Sequence, residues 1–202
     1  MDLFYFPHLP SDRATTHIAL FKNVTNSAAL RKRIINASTM EGEGGDFERE
    51  QVNFAFIDAR LITSRLHLQT AVYQSILAES ENSLRTKTVH SEVLWNLNPT
   101  NNITEAIRRY GVSDTATSLL VIRIDAGTLP ADEIEAKMRN IVDGDLVPFS
   151  YLDEITDWSL IKKHHKLAND LAIKNVQGDV EQEKAIVDKI VTSIVAMKSV
   201  MA

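Results

Sequence analysis

The sequence predicts one α/β (α+β) domain with a small mixed β-sheet of about four strands flanked by helices. Segments in which apolar residues alternate are interspersed with segments in which they recur every three or four residues. The 202 residues are 44% hydrophobic and 24% charged, which is ordinary for a chain with a packed core. No repeat or interdomain linker interrupts them, so we expect a single domain over residues 1–202.

The first half of the chain predicts a strand, two helices and an exposed loop. In order, these are a strand over 15–24, a helix beginning at Asn26 or Ser27, an acidic loop insertion over 40–51, a short apolar segment over 54–57 and a helix over about 63–80. The loop is rich in glycine but lacks the Gly-Lys-Ser/Thr sequence that opens the helix after a phosphate-binding loop.

The second half predicts two strands and several helices. In order, these are a strand over 89–97, a helix from Asn102 to Gly111, a central strand over 118–124, a helix near Pro130, short helical pieces over 151–155 and 157–167, and a last helix over about 180–201. Asn102 with Glu105 three residues later is typical of a capping box, and Gly111 of a left-handed residue that ends a helix.

Composition and charge exclude several classes of protein. The absence of cysteine excludes disulfides, thiolate metal sites and cysteine nucleophiles, and is typical of a reducing compartment. A formal net charge of −5 argues against binding nucleic acid through overall charge, so an RNA contact would need a local basic patch. The sequence shows no signal peptide and no run of about 18 apolar residues, so we expect no membrane contact.

The sequence predicts no catalytic centre, metal site or cofactor. His164 and His165 are adjacent, so on a helix they point about 100° apart and cannot ligate one ion as an i, i+4 pair would. Asp153, Glu154 and Asp157 are explained by favourable interaction with helix N-termini. No nucleophile elbow, zinc-protease motif or dinucleotide fingerprint occurs. We therefore expect a protein that is not an enzyme.

A possible anion-binding patch lies in the middle of the chain. In an extended segment, Arg85 and Lys87 would point to the same side. Asn98, Asn101 and Asn102 follow and offer amide donors beside a helix N-terminus. Together these residues could contact a phosphate backbone. A solvated edge followed by a helix cap is the simpler explanation, and the sequence leaves both explanations open.

The last predicted helix carries two apolar stripes. One consists of Ile186, Ile190, Ile194, Met197 and Met201, and the adjacent one of Val187, Val191 and Val195. Together they cover roughly 200° of the helix, which is wider than the apolar face of an ordinary surface helix. Either the helix is nearly buried within its own domain, or a partner covers one stripe.

Several motifs along the chain occur together in one known family. They are Ile18-Ala19-Leu20-Phe21-Lys22-Asn23-Val24, Phe54-Ala55-Phe56-Ile57-Asp58 with Arg60-Leu61, Leu84-Arg85-Thr86-Lys87-Thr88, Ser91-Glu92, Leu97-Asn98-Pro99, Asn101-Asn102-Ile103-Thr104-Glu105-Ala106 and Tyr110-Gly111-Val112. Through them, residues 15–170 resemble the PRPK-binding protein family, the kinase-binding subunits of the KEOPS (EKC) tRNA-modification complex. The acidic segment over 40–51 is longer than is usual in that family.

The resemblance implies a non-catalytic accessory subunit that binds the complex's small atypical kinase directly, modulates its ATPase activity and meets the other KEOPS subunits indirectly. It also implies support for tRNA N6-threonylcarbamoyladenosine modification, contact with the tRNA 3′ end, a telomere role in fungi, and a location in nucleus and cytoplasm. The residues carried over for tRNA are Arg85, Lys87, Asn98, Asn101 and Asn102. Those carried over for the kinase are Ile186, Ile190, Val191, Ile194 and Met197. A stand-alone RNA-binding module that uses the Arg85, Lys87 and asparagine patch is the alternative.

Overall fold

The computed structural model describes residues 1–9, 13–125, 127, 129–176 and 178–201. The strands are β1 (Asp2–Tyr5), β2 (Thr15–Lys22), β3 (Ala55–Asp58), β4 (Leu119–Asp125) and β5 (Asp145–Val147). The helices are α1 (Ser27–Thr39), α2 (Gly42–Gln51), α3 (Arg65–Ser80), α4 (Val89–Leu97), α5 (Ile103–Tyr110), α6 (Ala131–Ile141), α7 (Leu152–Ile155), α8 (Trp158–His164), α9 (Leu171–Lys174) and α10 (Val180–Met201). Short 3₁₀ turns cover Ala59–Leu61, Phe149–Tyr151 and Leu167–Asn169.

The strands form one five-stranded sheet in the order β1-β2-β4-β3, with β5 also pairing with β2. Each pairing described is antiparallel, for example with Ile18 opposite Ile122 and Phe56 opposite Val121. The predicted α+β class is confirmed, but the sheet is antiparallel rather than mixed and has five strands rather than about four. Sequence periodicity identifies a strand but not the direction of its neighbour, which depends on how the chain returns.

Helices cover both faces of the sheet. Alternate residues of β4 point to opposite sides. On one side Leu120 and Ile122 pack with α3, α4 and α10, and on the other Leu119 and Val121 pack with α1 and α6. All seven residues of β4 are buried, as predicted for a central strand.

Residues 89–97 form helix α4 rather than the predicted strand. Apolar residues at 89, 93 and 97 fit both a strand and a helix, because a spacing of four is even and is also about one helical turn. Thr88 and Ser91 form a capping box that starts the helix. Eight of the nine residues are buried, since α4 lies among α3, α5, α10 and the sheet. Apolar residues all round the helix obscured its periodicity.

Residues 42–51 form helix α2 rather than an exposed loop. The helix is built mainly from charged residues, so it shows little apolar periodicity. Arg49 holds it against the end of α1 by donating to the carbonyl oxygens of Ala37 and Met40. Among the residues that the structure describes, no helix is both long and apolar enough to cross a membrane.

Candidate partner-binding and RNA-binding surfaces

Helix α10 turns one apolar stripe inward. Val187, Val191 and Val195, here called the inner stripe, are at most 1% exposed and join the core with α3 and α4. Val191 therefore lies inside the domain rather than on a surface available to a kinase, which corrects its predicted role. Val191 is one position beyond Ile190, and this 100° rotation around the helix separates a core position from a surface one.

The other stripe stays at the surface. Ile186, Ile190, Ile194 and Met197, here called the outer stripe, form the flank of α10 that lies away from α3. The three isoleucines are partly buried and Met197 is 53% exposed. Ile190, Ile194 and Met197 line a shallow groove together with Lys189 and Ser193. Four of the five predicted kinase-binding residues thus share one largely apolar surface.

Polar contacts fix α10 against the rest of the domain. Near its start, Thr63 Oγ1 donates to Asp188 Oδ1 at 2.6 Å. Further along, Gln74 Nε2 donates to the carbonyl oxygen of Ala196 at 3.1 Å. Both contacts lie on the α3 side of the helix. Together with the buried inner stripe, they hold α10 in a rotation that leaves the outer stripe partly exposed.

The segment that carries Arg85 and Lys87 is a bent loop and not an extended chain. It wraps around the carboxylate of Glu92, which accepts hydrogen bonds from the backbone N–H groups of Arg85 (3.1 Å) and Thr86 (2.8 Å) and from Thr86 Oγ1 (2.6 Å). Glu92 is only 1% exposed. The loop is therefore held in one shape, with the Arg85 and Lys87 side chains exposed.

The three asparagines differ in exposure. Asn98 is fully buried, and its Nδ2 donates to the carbonyl oxygen (3.0 Å) and Oγ1 (2.8 Å) of Thr100. It shapes the loop between α4 and α5 and does not reach the surface, which corrects its predicted RNA contact. Asn101 and Asn102 are exposed, and Asn102 Oδ1 caps α5 by accepting from Glu105 N at 2.9 Å.

The predicted capping box at α5 is only half formed. The Glu105 carboxylate accepts a hydrogen bond from Thr100 Oγ1 and pairs with Arg109 at 2.5 Å. The reciprocal contact to the Asn102 backbone is therefore replaced by contacts to two other side chains.

The basic and the asparagine parts of the predicted patch lie at opposite ends of α4. Nine residues of helix extend for roughly 14 Å. The loop of Arg85 and Lys87 precedes the helix, and Asn101 and Asn102 follow it. One phosphate group cannot bridge that length, so the two parts can act together only on a longer ligand.

A polar cleft opens beside Lys87 at the N-terminal end of α4. Its lining includes Arg13, Lys87, His90, Arg123 and Asp125. Arg123 lies at its back, only 8% exposed, and donates to the carbonyl oxygen of Asn53 at 2.8 Å. Arg123 also pairs with Glu50 at 2.8 Å.

Sequence reasoning missed this cleft, because its residues come from distant parts of the chain. A charged residue within an apolar strand, as Arg123 is in β4, was the one available signal.

The adjacent histidines of α8 point to different environments, as expected from their 100° separation. His165 is buried, and its Nε2 lies 3.0 Å from the hydroxyl of Tyr110. Burial lowers the pKa of His165 to about 3, so its ring is neutral at physiological pH and packs as part of the core. In the part of the chain that the structure describes, no group of three His, Asp or Glu side chains could hold a metal.

Comparison with known proteins identifies the family. A family model described as "Kinase binding protein CGI-121" matches residues 21–199. A protein of Cryptococcus neoformans named "EKC/KEOPS complex subunit CGI121" is 35% identical over 234 residues, which cover all of both chains. Proteins with that name from Aspergillus fumigatus (34% identical, 83% of this chain and 84% of the relative) and Neurospora crassa (30% identical, 98% of each) are also similar. The match includes most of α10, and the family predicted from the sequence is confirmed: the chain belongs to the CGI-121 kinase binding protein family.

Proposed function

We propose that this protein is a non-catalytic subunit of an EKC/KEOPS complex that binds the complex's small atypical kinase through the outer stripe of α10. The observation that carries the proposal is that α10 has two apolar stripes, of which its own domain buries the inner one completely and the outer one only in part. The relatives named as complex subunits and the kinase-binding family support the same proposal. Docking there would modulate the kinase's ATPase activity and so support threonylcarbamoyladenosine formation in tRNA, in the nucleus and cytoplasm, with a telomere role in fungi.

The outer stripe has the composition expected of an interface centre. Three isoleucines and a methionine at helical spacing form a ridge that can fit a hydrophobic groove. Fully burying a side chain of this size contributes about 1.5–3 kcal/mol. The isoleucines are already partly covered, so their remaining gain is smaller and Met197 offers the largest exposed apolar area of the four.

A charge in the outer stripe should abolish kinase binding. We expect Ile190→Arg to weaken affinity for the kinase by at least about 100-fold, because an arginine at the centre of an apolar interface loses its hydration without gaining a partner. Met197→Arg, at a more exposed position, should act in the same direction with less risk to folding. Isothermal titration calorimetry gives the affinities, and an ATPase assay with and without each variant gives the effect on the kinase.

Ala185→Arg is the matched control. Ala185 is exposed on the same helix and lies about 140° around the axis from Ile190, so an arginine at this position adds the same charge outside the stripe. Its affinity should equal that of the wild type. Unchanged affinity in both outer-stripe variants, with unchanged melting temperatures, would place the kinase interface elsewhere.

We also propose that the Arg85–Lys87 loop and the neighbouring cleft contact the tRNA, including its 3′ end. Two exposed cations supported by a rigid loop supply local positive charge on an acidic protein, whereas the cleft arginines Arg13 and Arg123 are already paired with Glu79 and Glu50. Such a patch contacts phosphates without reading sequence. A stand-alone RNA-binding module remains the second candidate function, and it would bind RNA without any affinity for the kinase.

Removing both loop cations should weaken tRNA binding. Affinity for tRNA falls as the salt concentration rises. In the double variant Arg85→Ala/Lys87→Ala, the slope of log affinity against log salt should be less steep by about 1.4–2, because two phosphate contacts are lost. Fluorescence anisotropy with labelled tRNA at several salt concentrations measures the slope. As a control, Lys32→Ala/Arg139→Ala removes the same charge from α1 and α6, on the other face of the sheet. Equal slopes for the wild type and the loop variant would exclude the Arg85–Lys87 loop as a tRNA contact.

A further inference from the structure

One buried lysine ties the last turns of α10 to the loop between α4 and α5. Lys198 is 4% exposed, and its Nζ donates to the carbonyl oxygens of Trp95 (2.6 Å), Thr100 (2.8 Å) and Asn98. An ammonium group has three N–H donors, so these three acceptors use all of them. Nζ also lies 4.2 Å from the centre of the Trp95 ring.

The environment suits a positive charge despite the burial. Trp95 is in the last turn of α4, where the negative end of the helix dipole favours a cation, and its carbonyl oxygen accepts from Lys198 as well as from the backbone N–H of Asn98. Burial lowers the pKa of Lys198 to about 8, and the carboxylate of Glu92 acts in the opposite direction. The amine is therefore protonated at neutral pH and keeps all three donors.

The same turns of α10 are bare on their outer side. Met197 is 53% exposed and Val200 is 79% exposed. A terminal helical segment with one uncovered side has few contacts that resist local opening. Each opening of this segment would withdraw Lys198 from the three carbonyl oxygens. Contact of a partner with Met197 would oppose that opening.

The loop that Lys198 holds carries the exposed asparagines. Asn98, Asn101 and Asn102 connect α4 to α5, and Asn102 is the N-cap of α5. Without Lys198, the carbonyl oxygen of Asn98 loses its donor, while those of Trp95 and Thr100 keep the backbone N–H and the Nδ2 group of Asn98, respectively. An unsatisfied buried carbonyl oxygen is unfavourable, so the loop would rearrange to bring this group to water.

We propose that Lys198 is a positioning residue that couples a partner docked on the outer stripe to the conformation of the Asn98–Asn102 loop. This inference rests on the proposed kinase docking. A kinase bound at Met197 stabilises the end of α10, Lys198 stays on its three carbonyl oxygens, and the loop keeps the shape in which Asn101 and Asn102 face outward. Because coupling of two sites is reciprocal, a ligand that prefers this loop conformation also strengthens kinase binding.

Hydrogen exchange followed by mass spectrometry tests the coupling. Peptides covering residues 95–105 are compared in the free chain and in the kinase complex, for wild type, Lys198→Met, Lys198→Arg and Lys184→Met. In the free chain, Lys198→Met should speed exchange in these peptides by about tenfold. Kinase binding should slow their exchange about fivefold in the wild type and leave it unchanged in Lys198→Met. Lys198→Arg, which keeps the charge and several donors, should restore part of the protection.

The control variant and a binding measurement separate the possible failures. Lys184→Met removes a partly exposed lysine from the same helix, outside the outer stripe and its groove, and should show wild-type exchange in this loop. A kinase that binds the wild type but leaves the loop unprotected, or protects it equally in Lys198→Met, overturns the coupling and leaves the docking proposal standing. A kinase that does not bind the wild type overturns both. Thermal melting of each variant confirms that it is folded at the temperature of the assay.

Discussion

At the scale of single residues, Glu92 determines how the basic loop can bind a ligand. Its buried carboxylate already occupies the backbone N–H groups of Arg85 and Thr86. Backbone amides in such a loop often bind phosphate, but here an internal carboxylate takes that place. RNA contact at this loop therefore depends on the Arg85 and Lys87 side chains, which is why we expect a strong response to salt.

Gly111 is required by a close approach rather than by a left-handed conformation. Its φ is −76°, so the expected left-handed helix end is wrong. A Cβ atom at this position would clash with the carbonyl oxygen of Ile107 and would lie 3.3 Å from Leu94 Cδ2. At this position the chain thus passes too close to the last turn of α5 for any side chain, and this was visible only in the structure.

Gly111→Ala should destabilise the protein by about 2–4 kcal/mol, because the backbone at residue 111 must move away from the carbonyl oxygen of Ile107 and from the Leu94 side chain. Urea denaturation at 25 °C measures the change. Gly44→Ala is the control, because its Cβ would meet nothing within 4 Å and a helical alanine gains about 0.5–1 kcal/mol over glycine. Equal stability of the Gly111 variant and the wild type would contradict the packing argument.

At the scale of elements, α10 combines a core function and a surface function on adjacent stripes. The width of its apolar arc was evident from the sequence. The assignment of each stripe to core or solvent was not, because it depends on how α10 packs against α3 and α4. Helix α4 shows the same limit, since its burial on all sides removes the polar face that identifies a helix.

Truncating one residue from each stripe should separate stability from binding. Val191→Ala should cost about 2 kcal/mol of folding free energy, because it removes two methyl groups from the core and leaves a cavity. Met197→Ala should change stability by less than about 0.5 kcal/mol while weakening kinase binding. Chemical denaturation and calorimetric titration of both variants provide the test. Similar losses of stability in the two variants would contradict the assignment of the inner stripe to the core and of the outer stripe to the surface.

At the scale of the whole molecule, three buried histidines couple folding to pH. His67, His90 and His165 are at most 8% exposed, and burial lowers the pKa of each to about 3. His67 and His165 lie close enough to repel each other when charged, and burial makes protonation of any of the three unfavourable in the folded state. In the unfolded chain they take up protons near pH 6.5.

Stability should therefore be greatest above pH 6.5 and fall as the pH drops from 6.5 towards 3. In that window the unfolded chain binds protons that the folded chain does not, and each histidine contributes up to about 1.4 kcal/mol per pH unit. With three histidines, the slope approaches roughly 4 kcal/mol per pH unit once all are protonated in the unfolded chain. Urea midpoints at pH 7.5, 6.5 and 5.5 measure it. A urea midpoint that stays constant or rises at pH 5.5 would show that the buried histidines can be protonated in the folded chain.

The sequence by itself determined the family, the α+β class, the central strand and the extent of the last helix. These features depend on motifs and on periodicity within one segment, which neighbouring elements do not alter. Only the tertiary structure decided that residues 89–97 are helical, that Val191 and Asn98 are buried, and that Lys198 joins α10 to the α4–α5 loop. Each of these depends on groups brought together from distant parts of the chain, and their burial outweighs the weak local preferences of the residues involved.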